Sequence, residues 1–221
     1  LAAMTESTLV VWLTDQSATR HFDAATLGEA DRARYQRMRS PLRRRQWQMS
    51  RALAAHVGAR SAHSLSHSGE FACLAIDARA ASVGVDLEVV TVRDFQRVAR
   101  AAFAPPEIEQ LDAAPRHAVA VQFYQLWTLK EAFAKALKLP LATALHDCSF
   151  ELRDGNWRAS IPTAANWRAV VWQPCPALVL SAVSITAPGS TSASDSCATY
   201  RCPSTDCRVW PMLLDLSSKA G

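Results

Sequence analysis

Two acidic motifs carry the potential chemistry of this chain: Gly84-Val85-Asp86-Leu87-Glu88 and, further on, Trp127-Thr128-Leu129-Lys130-Glu131-Ala132-Phe133-Ala134-Lys135. Together they supply three carboxylates and a lysine for one site. In an extended segment side chains alternate, so Asp86 and Glu88 project from the same face. On a helix, Trp127, Glu131 and Lys135 stack one turn apart. Mg²⁺ takes a few carboxylates, phosphate oxygens and waters in an octahedral shell, so the grouping suits a cation shared with a substrate pyrophosphate. Each motif alone has a plainer reading: an isolated Asp-x-Glu is usually a solvated strand end, and a Lys-Glu pair on a helix is usually surface decoration.

Two other features bear on phosphate. Ser64-Leu65-Ser66-His67-Ser68-Gly69 precedes an apolar run and reads as a turn whose hydroxyl, imidazole and backbone donors can converge on phosphate oxygens. A histidine in such a turn is more often a structural hydrogen-bonder than a functional group. Between Asp31 and Arg51 lie eight arginines (Arg32, Arg34, Arg37, Arg39, Arg43, Arg44, Arg45 and Arg51) against one acid. Such density favours phosphate, on a small molecule or on nucleic acid. Aromatics within the cluster are limited to Tyr35 and Trp47, too few for single-strand base stacking, so no nucleic-acid partner is expected.

The elements that must position these residues follow from pattern and punctuation. Residues 9–13 read as a strand, 27–39 as a helix with sparse apolar positions, and 41–57 as a second helix with Pro41 in its first turn. Residues 71–76 and 83–88 are strand candidates, completing a β, α, β, β first half. Helical patterns follow at 92–102, 105–111 and 116–138, the last bounded by Pro115 and Pro140. In that longest helix Val119, Phe123, Leu126, Phe133 and Leu137 form the core stripe, while Trp127, Glu131 and Lys135 lie on a different one. Asp154-Gly155 is a two-residue hairpin signal between strands at 149–153 and 156–161, and 168–172 and 178–184 complete a β region. The second half thus loosely repeats the first. The expected class is α/β (α+β), a pseudo-two-fold arrangement of two similar halves, 4–92 and 93–186. Residues 187–221, rich in Ser, Thr, Ala, Gly, Pro and Cys, read as a disordered tail.

Composition sets the bounds. With 221 residues, 49% of them hydrophobic and 20% charged, the chain can bury a good core. No apolar run approaches the roughly 20 residues that cross a bilayer, and the first residues lack a basic-then-apolar leader. A cytoplasmic location and no membrane partner are therefore expected, with Met4 a candidate start. Cys73, Cys148 and Cys175 sit singly in apolar or strand-like surroundings and read as buried thiols; the spacing of Cys197, Cys202 and Cys207 does not fit a zinc site.

In order and separation, the Ser-His motif, Gly-Val-Asp-Leu-Glu and Trp-Thr-Leu-Lys-Glu-Ala-Phe-Ala-Lys closely resemble the Sfp-type branch of the 4′-phosphopantetheinyl transferase superfamily, over roughly 9–185. The resemblance implies an enzyme that moves the phosphopantetheine arm of coenzyme A onto a serine of an apo acyl or peptidyl carrier protein, with Mg²⁺, releasing 3′,5′-ADP. It implies Asp86, Glu88 and Glu131 as metal ligands, Glu131 doubling as a base, and Lys135 on phosphate. Ser66 and His67 are implied to bind coenzyme A phosphates, with Lys130 behind them and Arg44, Arg45 and Arg51 as the basic residues of the cofactor site. A monomer with its active site between the halves is expected. Relatives usually carry a longer stretch before the Ser-His motif, with a Gly-Lys-Pro turn and a strand; here Val57 is followed almost at once by Ser64. The alternative is a non-catalytic coenzyme A or carrier-protein binding module of the same fold, which would not need the full set of acids and Lys135.

Overall fold

A computed structural model describes residues 9–58, 63–153, 156–187, 199–201 and 212–217. The chain runs β1 (Leu9–Asp15), two short 3-10 turns (Gln16–His21 and Ala24–Thr26), α1 (Glu29–Arg37), α2 (Pro41–Val57), β2 (His63–Ser68), β3 (Phe71–Asp77) and β4 (Ser82–Val89). It continues with α3 (Phe95–Ala102), α4 (Pro105–Asp112), α5 (Arg116–Leu137), α6 (Leu141–Asp147), β5 (Ser149–Arg153), β6 (Asn156–Ser160), β7 (Asn166–Cys175) and β8 (Leu178–Thr186). Two short strands follow, β9 (Thr199–Arg201) and β10 (Met212–Ser217).

The mixed α/β class expected from the sequence is the one observed. Two four-stranded sheets, ordered β2-β3-β1-β9 and β10-β7-β8-β4, pack face to face, and β5-β6 forms a separate hairpin. Alternation decides which side chain goes where. Leu9, Val11 and Leu13 of β1, Cys73 and Ala75 of β3, and Val83, Val85 and Leu87 of β4 fill the space between the sheets. The opposite face of the second sheet, including Val179, Val183 and Ile185 of β8, packs with Phe123, Leu126, Leu129 and Phe133 of α5. Strand β8 is buried on both faces, which is why Leu178–Thr186 reads as nearly continuous apolar sequence.

Helix α2 forms where Ser40 accepts the backbone N–H of Arg43 and Pro41 supplies the first-turn φ; it ends at Gly58, whose φ of 63° is the left-handed conformation that glycine adopts at little cost. It buries Trp47, Met49 and Leu53 over the first sheet, each worth about 1.5–3 kcal/mol of transfer free energy. Helix α1 buries no residue, as its sparse apolar positions lead one to expect.

Two local expectations are corrected, and one helix is added. The Ser-His segment is a strand, β2, not a turn: it pairs antiparallel with β3, Ser66 opposite Cys73, and the turn falls one step later at Gly69, φ 55°. Its hydroxyls find partners on β4, so a polar segment can remain extended. Helix α6 had no sequence signal beyond Pro140, because seven residues are too few to show a helical period. Of the three isolated cysteines, Cys73 and Cys148 are buried free thiols, but Cys175, at the end of β7, is exposed.

Strand β4 belongs by hydrogen bonding to the second sheet, pairing antiparallel with β8, Asp86 opposite Ser181. Within the stretch expected to be a disordered tail, β9 pairs parallel with β1 and β10 antiparallel with β7, where Arg168 grips Asp215 at 2.6 Å. The rest of 187–221 beyond Ala187, the Asp154-Gly155 turn, residues 59–62 and the candidate start at Met4 lie outside the described residues.

Candidate active site

The site forms where β4 crosses α5. Gly84 permits the crossing: a Cβ there would stand 1.9 Å from the carbonyl oxygen of Ala132 and 2.8 Å from the backbone nitrogen of Ala136. Helix α5 is fixed to the second sheet by the Thr128 hydroxyl, 2.7 Å from that of Ser181. Strand alternation sends Val85 and Leu87 between the sheets, and Asp86 and Glu88 to the other face of β4. Helical spacing places Glu131 and Lys135 on the adjoining turns of α5.

The result is a tight acidic cluster. Asp86, Glu88 and Glu131 each offer a carboxylate oxygen, and these oxygens all lie within 4.8 Å of one another. Asp86 is 3% exposed. Its Oδ1 accepts from Lys135 Nζ at 2.8 Å and from the Ser66 hydroxyl at 2.8 Å, while its buried Oδ2 has no hydrogen-bond partner among the described residues. Glu88 Oε2 accepts from the Ser68 hydroxyl at 2.7 Å. Lys135 Nζ also donates to the Val85 carbonyl, which fixes the ammonium against β4.

Protonation follows from this crowding. Burial pushes all three carboxyls above their ordinary range. Lys135 and Ser66 pull Asp86 back, and Ser68 does the same for Glu88. Glu131 is pushed up to about 7, by burial first and then by the charge of Asp86, against the pull of Lys135. Burial alone would lower Lys135, but the Asp86 carboxylate outweighs it and holds the ammonium above its usual value. Partial enclosure lowers His67. Three acids against one lysine leave the cluster short of positive charge, and an orphaned buried oxygen on Asp86 is a ready ligand position. The donor set, all oxygen, fits a hard divalent cation such as Mg²⁺.

Beside the cluster opens a cleft of about 760 Å³ lined by Arg34, Arg37, Arg39, Arg43, Gln46, Trp47 and His67, among others. His67 is therefore placed on the anion-attracting side. The arginines singled out from sequence are not in that lining. Arg44 lies over the Tyr35 ring at 4.2 Å, Arg51 pairs with Asp31 at 3.1 Å and lies over Trp47, and Arg45 is exposed. One arginine of the lining had a readable signal: Arg43 precedes Gln46 and Trp47 by three and four positions, so it shares their helix face. Arg34, Arg37 and Arg39 belong to α1 and the link to α2, which no helical face within α2 could reveal.

Lys130 is also corrected. It is wholly buried on the far side of its helix turn, paired with Glu107 of α4 at 2.9 Å and donating to the carbonyls of Leu145 and Cys148. Glu107 in turn accepts the N–H groups of Ala104 and Phe150. This network ties α4, α5, α6 and β5 together and does not reach the acidic cluster. The Ser66 hydroxyl, expected to face a cofactor phosphate, is instead held between Asp86 and Lys135.

A strand bearing two carboxylates meets a helix bearing a third and a lysine, beside an arginine-lined cleft; the oxygens suit a hard cation and the arginines suit phosphate. This chain matches the family model of the 4′-phosphopantetheinyl transferase superfamily over residues 82–183, which include all four of those side chains. It is 31% identical over 90 residues to the 4′-phosphopantetheinyl transferase of Bacillus subtilis, covering 41% of this chain and 39% of that protein. It is 36% identical over 73 residues to a Synechocystis sp. protein with a provisional 4′-phosphopantetheinyl transferase name, covering 33% of this chain and 29% of that protein. The chain thus spans well under half the length of either relative. Among the described residues no helix is long and apolar enough to cross a membrane.

Proposed function

We propose that the protein is a Mg²⁺-dependent 4′-phosphopantetheinyl transferase, which moves the arm of coenzyme A onto a serine of an apo acyl or peptidyl carrier protein and releases 3′,5′-ADP. The observation that carries the reading is the convergence of Asp86, Glu88 and Glu131 within 4.8 Å, with one buried oxygen of Asp86 unpartnered. In this reading those three carboxylates hold Mg²⁺, which when bound neutralises and orients the pyrophosphate. Lys135 adds a positive charge at the same phosphates, and His67 with the cleft arginines takes the remaining nucleotide phosphates. The carrier serine oxygen bonds to the β-phosphorus as the bond from that phosphorus to the bridging oxygen breaks, and the electron pair leaves with 3′,5′-ADP. Glu131, ionised when it holds the cation, receives the serine proton directly or through water. The two halves, 4–92 and 93–186, would act together as one cytoplasmic monomer, with the cluster at their junction.

The test is transfer itself. Incubated with coenzyme A, Mg²⁺ and an apo carrier protein, the enzyme should add a mass of about 340 Da to the carrier, as that reaction requires. Asp86→Ala should abolish the gain while circular dichroism and the melting profile remain those of a folded protein. No mass gain with fatty-acid, polyketide and peptide carriers alike overturns the enzymatic reading in favour of a binding module.

A further inference from the structure

Strands β2 and β4 are edge strands of different sheets, yet they lie side by side, joined by three serine hydroxyls at alternate positions of β2. Ser64 Oγ accepts the N–H of Val85 at 3.1 Å, Ser66 Oγ donates to Asp86 Oδ1, and Ser68 Oγ accepts the N–H of Val89 at 3.1 Å while donating to Glu88 Oε2 at 2.7 Å. The direction of each bond is set by its other partner. A hydroxyl carries one hydrogen; at Ser68 the Val89 N–H occupies the oxygen as acceptor and leaves that hydrogen for the carboxylate. At Ser66 the Lys135 ammonium, 3.1 Å away, occupies the oxygen in the same way. Each carboxylate is thereby held by one named oxygen, Oδ1 of Asp86 and Oε2 of Glu88. On Asp86 the opposite oxygen is the unpartnered one.

We infer that Ser68, with Ser66 beside it, is a positioning residue that fixes the carboxylate of Glu88 so that its other oxygen is presented to the cation. The inference rests on reading the acidic cluster as a cation site, as proposed above. Ser68 does not touch the reacting atoms; it acts through Glu88. Without its hydroxyl, Glu88 would regain side-chain rotamers among which only some face Asp86 and Glu131, and the Val89 N–H would lose its acceptor. The serine therefore stabilises one geometry of the ligand set before any cation arrives.

The direct probe is Mn²⁺ binding to the full chain without coenzyme A, followed by electron paramagnetic resonance. Ser68→Ala should weaken Mn²⁺ by about tenfold or more, the size expected for removing a hydrogen bond behind a metal ligand, and Ser68→Thr should restore most of it. In a Glu88→Ala background the same Ser68→Ala change should cost less than about twofold, because the side chain through which it acts is gone. At saturating Mg²⁺ the KM for coenzyme A should stay that of the wild type. Should the alanine variant fail to fold, Ser68→Cys, similar in size but a weak donor, carries the test and should fall between the two. Unchanged Mn²⁺ affinity in Ser68→Ala, equal losses in both backgrounds, or a raised KM for coenzyme A at saturating metal would overturn the inference. Wild-type protein with serine-dependent Mn²⁺ binding but no transfer overturns the transferase reading alone; transfer by wild type, with Mn²⁺ affinity indifferent to Ser68, overturns this inference alone.

Discussion

Glu131 gives a prediction with a sign and a size. In the metal-free protein its carboxyl is pushed up to about 7 from an ordinary 4.5, burial being the first cause and Asp86 the second. A carboxyl raised in the folded state holds its proton more tightly there than in the unfolded chain. Below 4.5 both states are protonated and there is no penalty; above 7 both are ionised and the penalty is full. Stability is therefore lost as pH rises from 4.5 through 7, the reverse of a salt-bridged carboxylate. The gap corresponds to about 3 kcal/mol at full burial, and solvent screening of this half-buried group brings it to about 1–2 kcal/mol. Divalent cation should offset that loss, and its affinity should fall about tenfold per pH unit below 7 as the proton competes. Urea melts at pH 5, 6, 7 and 8, with EDTA or with Mg²⁺, measure both effects. Glu131→Gln should flatten the metal-free profile in this window. If wild type and Glu131→Gln keep parallel profiles in EDTA, the electrostatic account of the cluster is wrong.

Other perturbations separate packing from chemistry. Gly84→Ala should cost several kcal/mol and lower the melting temperature by about 10 °C, because a Cβ meets rigid backbone of α5 rather than a movable side chain; a melt within about 2 °C of wild type would mean that β4 and α5 separate easily. Lys130→Met should destabilise by about 3–5 kcal/mol by leaving Glu107 buried and unpaired, and adding Glu107→Leu should recover a large part of that in chemical denaturation. Loss of activity without loss of stability in Lys130→Met would return Lys130 to the site. Arg43→Ala should raise the KM for coenzyme A by about tenfold at low salt, and by less in high salt, while Arg45→Ala leaves it unchanged; equal effects at both positions would argue against the cleft as the nucleotide subsite.

What could be read in the sequence was whatever has a local cause. Ser40, Pro41 and Gly58 bound α2 by capping chemistry, and Pro115 and Pro140 bracket α5, so both helices were legible to within a residue or so. The four chemical side chains were legible because alternation on β4 and a one-turn step on α5 each place a pair. The rest depended on partners distant in sequence. Lys130 and Glu131 are adjacent, yet one turns into the contacts of α4 and the other toward β4, and no periodicity shows that Glu107 is waiting for the first. Ser66 read as part of a turn because the acceptor of its hydroxyl, Asp86, lies on the edge of another sheet.

The alternation of β2 explains how one short strand can serve two halves of a site. Ser66 and Ser68 point to the carboxylates of β4, and His67, between them, lines the arginine cleft. The strand is thus a wall with acids on one side and cationic side chains on the other, and the two fields oppose each other across its width. A cation alone satisfies the acids but is repelled by the arginines; a polyanion alone does the reverse. A divalent ion bound together with a pyrophosphate would be stabilised on both sides at once, so the two ligands should bind with positive coupling. Reciprocity makes this checkable from either direction: the factor by which Mg²⁺ tightens coenzyme A must equal that by which coenzyme A tightens Mg²⁺. Arg43→Ala should shrink that factor while sparing the affinity for the metal alone, since Arg43 lines the cleft and does not enter the carboxylate cluster. Calorimetric titrations in both orders would show it, and a coupling factor of about one in the wild type would mean that the cluster and the cleft serve different ligands.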